Sequence, residues 1–471
     1  MIIAFVLSAL SAAIALSAPL IIQHVVDVTI PQKAFGALVG WSALMLLTIV
    51  VSVELATIRS RIMTRVGQDI IFDIRTDLFK HLQQLPFKYY DDRPQGKILI
   101  RVVNYVNAVS DVLSNGIINF ILEIVNLIFI AVFMFAVDVR LSFVTLAGLP
   151  VFLGVMLLIK TRQRRAWQAV SNKSSNMNAY LQESISGIGV TQIFSREKHN
   201  EGIFTRLAGN YRKEWMRALR YNALIPFSVD NLATIVTTLI YMVGLLAMGP
   251  QGVTFGVILA MSNYAARFWQ PILNLSQLYN NFINAVAYLE RIFETLDEPV
   301  TVSDVPGAKA LPPVQGNVQF KDVTFAYDPG LNILEHLNFE VKAGESIALV
   351  GPTGAGKTTV VNLISRFYNV SEGAILIDGH DISQVTLKSL RSQMGIMLQD
   401  SFIFSGTIMD NIRYGKLDAT EEEVIAAAKT VCADEFIREF EQGYYTEVNE
   451  RGSKLSQGQR QLISFARTLL A

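Results

Sequence analysis

Between residues 351 and 359 the chain reads Gly-Pro-Thr-Gly-Ala-Gly-Lys-Thr-Thr, a set of residue types whose spacing suits a nucleotide triphosphate. Gly351, Gly354 and Gly356 let the backbone turn N–H groups inward around phosphate oxygens, with the small residues Thr353 and Ala355 between them. Lys357 can reach the β and γ oxygens, the Thr358 hydroxyl can ligate Mg2+, and Thr359 continues the set into a helical run that ends at Phe367. That helix would point its positive N-terminal end at the same anion. A short apolar run at 347–350 reads as a buried strand, so strand, loop and helix stand in the order a phosphate loop requires. A second segment, Leu-Ser-Gln-Gly-Gln at 455–459, leads into a helix carrying Arg460 and Arg467. Alone it is a helix start with Ser456 as N-cap.

These residues sit in the second of two unlike halves. The whole chain, 471 residues, carries 40 basic and 40 acidic side chains, a balance that argues against a nucleic-acid partner. Its charged fraction is 17%, where soluble proteins hold about a quarter. The deficit falls in the first half, which has apolar stretches at 1–22, 37–58, 117–137, 141–159, 223–248 and 253–275. Each approaches the roughly 20 residues of a bilayer-spanning helix. The first lacks the basic start of a signal peptide and is longer than a signal core, so it is read as a span. The sixth is interrupted by Asn263, Arg267, Gln270 and Pro271. The intervening loops 59–115 and 160–222 are rich in Arg and Lys, which places them, and both termini, on the cytoplasmic side. Within them Ile70-Ile71, Ile74, Leu78 and Leu82, then Leu181, Ile185, Ile188 and Ile193, recur at helical spacing, so the spans extend into the cytoplasm as amphipathic rods. Cys432 is the single cysteine, which rules out an intrachain disulfide or a thiolate metal cluster.

Pro-rich punctuation at 299, 306–307 and 312–313 marks a linker. The expected domains are a membrane domain over 1–299, a linker over 300–316 and a nucleotide domain over 317–471, in which 318–320 and 323–325 alternate as strands.

Six spans, a phosphate loop and the pentad at 455–459 together resemble an ATP-binding cassette (ABC) exporter half-transporter along the length of the chain. The resemblance includes Tyr327 at the position that stacks on adenine, Gln399 at the position that senses Mg2+, the stretch 402–415, and Glu450-Arg451-Gly452. Tyr89-Tyr90-Asp91 with Gly96 resembles the first coupling segment, and 187–197 the second. It implies an α-helical six-span membrane domain followed by an incomplete α/β phosphate-loop domain, with ATP and Mg2+ as cofactors. Ser456, Gly458 and Gln459 would contact the γ-phosphate held by a second half-transporter, identical or not, so that twelve helices line the path of a hydrophobic drug-like or lipid substrate. A bacterial plasma membrane is the implied location.

Two positions depart from the family pattern, Gln457 and Asn449, where glycine is usual. The resemblance also implies a catalytic glutamate, an Mg2+-binding aspartate and a switch histidine beyond Ala471, and a short amphipathic helix ahead of residue 1. The 471 residues are therefore expected to lack a general base and not to hydrolyse ATP alone. The alternative within the family is a degenerate half that completes its partner's site. A soluble DNA-repair ATPase with the same motifs is excluded by the apolar spans and neutral charge.

For substrate, Glu54, Glu123 and Asp230 lie in or near apolar stretches; one reading is a cation-binding cavity for lipophilic drugs, and the favoured one is that they sit toward the cytoplasmic helix ends, in water or paired with Arg or Lys. The run Asn274, Asn280, Asn281 and Asn284 is read as a cytoplasmic extension of the sixth helix, and His24 and Asp27 as hydrated residues at the outer edge of the first span.

Overall fold

A computed structural model describes residues 2–112, 116–248, 252–397, 401–449 and 452–471, without the side chains of 95, 111, 117, 118, 276 and 280. The chain divides into two compact units. One comprises Met1–Thr76 and Arg101–Ile292; the other comprises Asp77–Ile100 and Phe293–Ala471.

The first unit is helical. Among the described residues five helical stretches are long and apolar enough to cross a membrane: Ile2–Thr29, Phe35–Gln84, Asn119–Val137, Val139–Ser186 and Glu197–Leu246. Three of them reach 48 to 50 residues, longer than a bilayer requires, in keeping with the amphipathic continuations read from Ile71, Leu78 and Leu82, which are buried. Breaks have local causes. The first stretch resets at Ser17, ahead of Pro19, which cannot donate into the preceding turn. Asp138 is extended and its carboxylate accepts from Leu141 N at 2.9 Å, capping the next helix. The helix Phe255–Leu296 also belongs here through Ile292. Tyr264, Ala265, Phe268 and Trp269 on one side of it are buried in a core shared with Ile130, Phe152, Val236 and Ile240.

Asp27 does more than hydrate. Its carboxylate accepts from Thr254 Oγ1 at 2.5 Å and from Gly256 N at 2.8 Å, so it closes the N-terminus of Phe255–Leu296. His24 packs on Trp41 at 4.6 Å. Apolar context concealed a contact 229 residues away in sequence. Asp27→Ala is expected to destabilise this unit by about 0.5–2 kcal/mol, the range for a lost cap. Asp27→Asn, which keeps an acceptor, should recover part of it. Thermal unfolding of the two variants in detergent tests this, and equal midpoints for Asp27→Ala and wild type would refute it.

Glu123 likewise has a partner of a different kind from that expected: its carboxylate accepts from Asn274 Nδ2 at 2.7 Å, an amide in place of Arg or Lys. Glu54 and Asp230 are exposed.

In the second unit a four-stranded antiparallel sheet has the order β2-β1-β3-β4, with β1 Val318–Ala326, β2 Asn332–Val341, β3 Glu372–Ile377 and β4 His380–Asp381. The two short strands expected at 318–320 and 323–325 are one strand, continued through a bulge where the register shifts and Asp322 takes φ +50°. The sheet core holds Phe320, Val323, Phe325, Ile375 and Ile377, against Val360 and Leu363 of the helix Lys357–Ile364. A second core, with Ile408, Ile412, Val424, Ile437 and Ile463, is helical.

The buried strand expected at 347–350 does not form. Ile347 is 52% and Val350 88% exposed, and among the described residues no strand pairs with this segment. An apolar run buries both faces only between neighbouring strands and covering helices.

The segment 315–317 is tied to the turn after β3: the Asp378 carboxylate accepts from the backbone N–H groups of Asn317 (2.8 Å), Gln315 (2.5 Å) and Gly316 (3.3 Å). Those N–H groups, Asn317 first, hold its pKa below the ordinary value. The folded pKa is depressed, so this tether contributes above the unfolded value of about 3.9 and is lost as pH falls through the lower folded value. Protection from hydrogen exchange at 315–317, taken relative to the intrinsic rate at each pH, should be full at pH 5 and fall away only below the ordinary carboxylate value of about 3.9; Asp378→Asn should remove that pH dependence.

Candidate nucleotide-binding site

The loop before the helix Lys357–Ile364 is shaped by glycine. Gly354 and Gly356 take φ +88° and +80°, a left-handed conformation that costs an L-residue about 1–2 kcal/mol. A Cβ on Gly356 would also lie 2.8 Å from Leu334 Cδ2. Lys357 Nζ folds back across the loop and donates to the carbonyls of Gly351 at 2.8 Å and Pro352 at 2.7 Å. Its charge therefore stands at the loop mouth, where an anion held by the loop's N–H groups would meet it. Thr353, Gly354, Ala355 and Thr358 are exposed. The Thr358 hydroxyl is free to face a metal ion bound to phosphate; among the described residues there is no cluster of three or more His, Cys, Asp or Glu able to hold a metal without one. Donor N–H groups, one lysine and one hydroxyl fit a Mg-nucleotide, whose phosphates would complete the metal's coordination.

Thr359 departs from the rest of the set. It is buried at 4% exposure, and its hydroxyl bonds the Tyr327 hydroxyl at 3.0 Å. The structure thus joins Tyr327, at the end of β1, to the phosphate-loop helix. The tyrosine is half-buried, with its ring edge-on to Phe325 at 4.8 Å and Tyr368 at 5.0 Å.

That aromatic corner is held by the segment around Phe87–Asp91, which belongs to the same compact unit. Lys88 Nζ donates to the Tyr327 carbonyl and pairs with Asp328 at 3.0 Å. The Tyr368 hydroxyl donates to Asp91 Oδ2. Burial first, then the Asp91 carboxylate, push the Tyr368 pKa up, so the hydroxyl remains a donor. Phe87 stacks on Phe367 at 5.1 Å and Arg93 pairs with Glu298 at 3.0 Å. Asp91 was visible in the Tyr-Tyr-Asp motif, but Lys88 and Tyr368 were not, because nothing local marks a lysine or a tyrosine whose partner is 239 or 277 residues away.

The 455–459 segment forms another corner. Ser456 is the N-cap of the helix Gln457–Leu470: its hydroxyl accepts from Gln459 N at 3.2 Å while Gln459 Oε1 accepts from Ser456 N at 2.8 Å. Ser456, Gln457 and Gly458 are exposed, and nothing lies within 4 Å of a Cβ placed on Gly458. This helix packs in the helical core, whereas the phosphate-loop helix packs on the sheet, so the two motifs rest on separate clusters. Arg460 Nη1 donates to the Leu455 carbonyl at 2.7 Å, and Arg467 Nε to the Asn411 carbonyl at 2.8 Å. Asn449 is exposed. Gln399, Glu450 and Arg451 lie outside the described residues. In the first unit, the helix Ile188–Ile193 leaves Ile193 79% and Phe194 68% exposed.

Comparison with known proteins agrees with this anatomy. A family model described as ABC transporter transmembrane region matches residues 1–272, and one described as ABC transporter matches 334–471. An uncharacterized ABC transporter ATP-binding protein of Bacillus subtilis, YknV, is 42% identical over 414 residues, covering 88% of this chain and 68% of its own. A putative multidrug export ATP-binding/permease protein of the same organism, YgaD, is 33% identical over 467 residues, covering 97% and 80%. The solved structure of a bacterial Atm1-family ABC exporter with ATP bound superposes with a TM-score of 0.79 at 28% identity, covering 99% of this chain and 82% of that one. With a helical membrane region and an ATP-binding domain in one polypeptide, the chain belongs to the ABC transporter family, among the exporters that fuse the two.

Proposed function

We propose that the chain is one half of a dimeric exporter that couples ATP to the outward movement of a hydrophobic or amphipathic molecule, drug-like or lipid, across a bacterial plasma membrane. In this reading residues 1–299 form the membrane domain, 300–316 the linker and 317–471 the nucleotide domain. The helix Phe255–Leu296 is a sixth span, its polar residues facing water instead of lipid, and both termini are cytoplasmic. ATP is held by Gly351, Thr353, Gly354, Ala355, Gly356, Lys357, Thr358 and Thr359, with Tyr327 against the base and Thr358 and Gln399 toward Mg2+. Ser456, Gly458 and Gln459 face the γ-phosphate on the partner's loop. The observation that carries the reading is the Phe87–Asp91 segment, continuous with a 50-residue membrane helix, clamped onto Tyr327, the residue after β1, beside the phosphate-loop helix. A ligand that moves Tyr327 then moves that segment, which is the differential contact that a coupled transition needs.

The placement of the two motifs on separate cores favours a second copy. In a Cys432→Ser background, Thr353→Cys and Ser456→Cys should form a disulfide between copies, and Mg-ATP should increase its yield. A yield unchanged by ATP over the whole binding range would count against the sandwich.

The clamp itself is testable. Lys88→Met together with Tyr368→Phe should weaken ATP binding roughly five- to thirtyfold, the effect of one or two hydrogen bonds at about 1 kcal/mol each, and leave binding of inorganic triphosphate unchanged. Equal losses for both ligands would mean that the clamp supports the fold and not the base.

A further inference from the structure

On the helix Phe255–Leu296, Asn263, Arg267, Gln270, Asn274, Gln277 and Asn281 follow one another in alternating steps of four and three, so they share one face. All are exposed except Asn274, which is half-buried. The opposite face, with Tyr264, Phe268 and Trp269, is packed into the helical core. Six polar side chains in a row do not face hydrocarbon, so this face looks onto water or a cavity.

One of the six is charged. Arg267 stands twelve residues into the helix, about 18 Å along it and near the middle of a hydrocarbon core about 30 Å thick, whichever side the helix starts from. A guanidinium carries five N–H donors. Among the described residues its one hydrogen bond is from Nη1 to the Ala15 carbonyl at 3.2 Å, and no carboxylate pairs with it. The acid that comes to this face, Glu123, is occupied by Asn274, itself bonded to Gln270 at 3.0 Å. Asn274 lies about 10 Å farther along the helix than Arg267. The stripe therefore presents a positive charge at mid-depth with neutral amides on either side, a lining that attracts an anion with a polar neighbourhood and an apolar tail.

We infer that Arg267 binds the anionic headgroup of the transported molecule, and that the substrate class is an acidic amphiphile, such as a carboxylate or phosphate ester on a hydrocarbon chain. The inference rests on reading this helix as a membrane span. Without that charge an arginine at this depth would be costly for no return.

The test uses the full chain in nanodiscs of neutral lipid, with binding measured against empty discs for three probes: dodecanoate, dodecyltrimethylammonium and acetate. Dodecanoate should bind at least tenfold more tightly than the cationic probe, and acetate should not compete with it, since headgroup and tail are both required. Arg267→Gln should weaken dodecanoate about tenfold, in line with a charge-assisted hydrogen bond, while Arg267→Lys stays within about threefold. Unchanged affinity in Arg267→Gln, or a preference for the cationic probe, overturns the proposal; competition by acetate reduces it to a simple anion site and overturns the amphiphile class. The ATP-dependent cross-link between copies is read on the same variants. If it persists while the anion preference is absent, only this inference fails; if it is absent in the parent chain, the exporter reading fails first.

Discussion

Replacing Lys357 by alanine should weaken ATP binding about 10- to 100-fold, with no change in the hydrogen exchange of β1 and β3. The magnitude follows from the ammonium's position. It already spans the loop, donating to Gly351 and Pro352, so an incoming phosphate gains a charge-assisted contact without reordering a long side chain. Losing one or two such contacts costs about 1.5–3 kcal/mol, which is the range quoted. The fold should be indifferent because both acceptors are exposed loop carbonyls that water can satisfy. Equilibrium binding of a fluorescent ATP analogue measures the effect. Lys357→Arg is the informative companion: it keeps the charge but not the compact ammonium, and should recover only part of the affinity. Should Lys357→Ala bind within twofold of wild type, the loop would not be the phosphate site.

The largest structural effect is expected at Gly373, at the start of β3. A Cβ there would lie 2.3 Å from the Asp322 carbonyl oxygen and 2.4 Å from that of Lys321, both backbone atoms inside the β1 bulge, and the residue has φ +81°. A side-chain end can rotate away from such a clash, whereas a paired strand cannot. Gly373→Ala therefore combines a left-handed penalty of about 1–2 kcal/mol with overpacking of about 1–3 kcal/mol. Gly379 is the control. It has nearly the same φ, +80°, but open space around its Cβ position, so Gly379→Ala should cost the conformational part alone. Tryptophan fluorescence is blind here, since Trp41, Trp167, Trp215 and Trp269 all lie in the first unit. Hydrogen exchange across 318–326 and 372–377 reads it directly. Similar exchange in the two variants would mean that the bulge relaxes and the clash is not real.

Lys88 and Asp27 show one limit of sequence reading. Each looks like an ordinary charged residue beside an apolar segment, and each gains its role from a partner more than 200 residues away. The polar face of Phe255–Leu296 shows another. The residues that made it the weakest of the six apolar stretches, Asn263, Arg267 and Gln270, are those that form its exposed stripe. Average hydropathy counts them against a span, while their spacing places them on one side of it.

The sequence by itself determined the glycine-rich loop, the long helices, the family and the contrast between an apolar half and a more polar one. These are set by local matters: glycine's access to left-handed backbone, helical periodicity over many residues, and the length of apolar runs. Only the tertiary structure decided that 318–326 is one bulged strand, that 347–350 pairs with no strand among the described residues, that Thr359 turns inward to Tyr327, and that the Phe87–Asp91 segment packs with the nucleotide unit. Strand pairing, burial of a hydroxyl and the docking of a short helix all depend on which distant surface arrives opposite, and no window of neighbouring residues contains that surface.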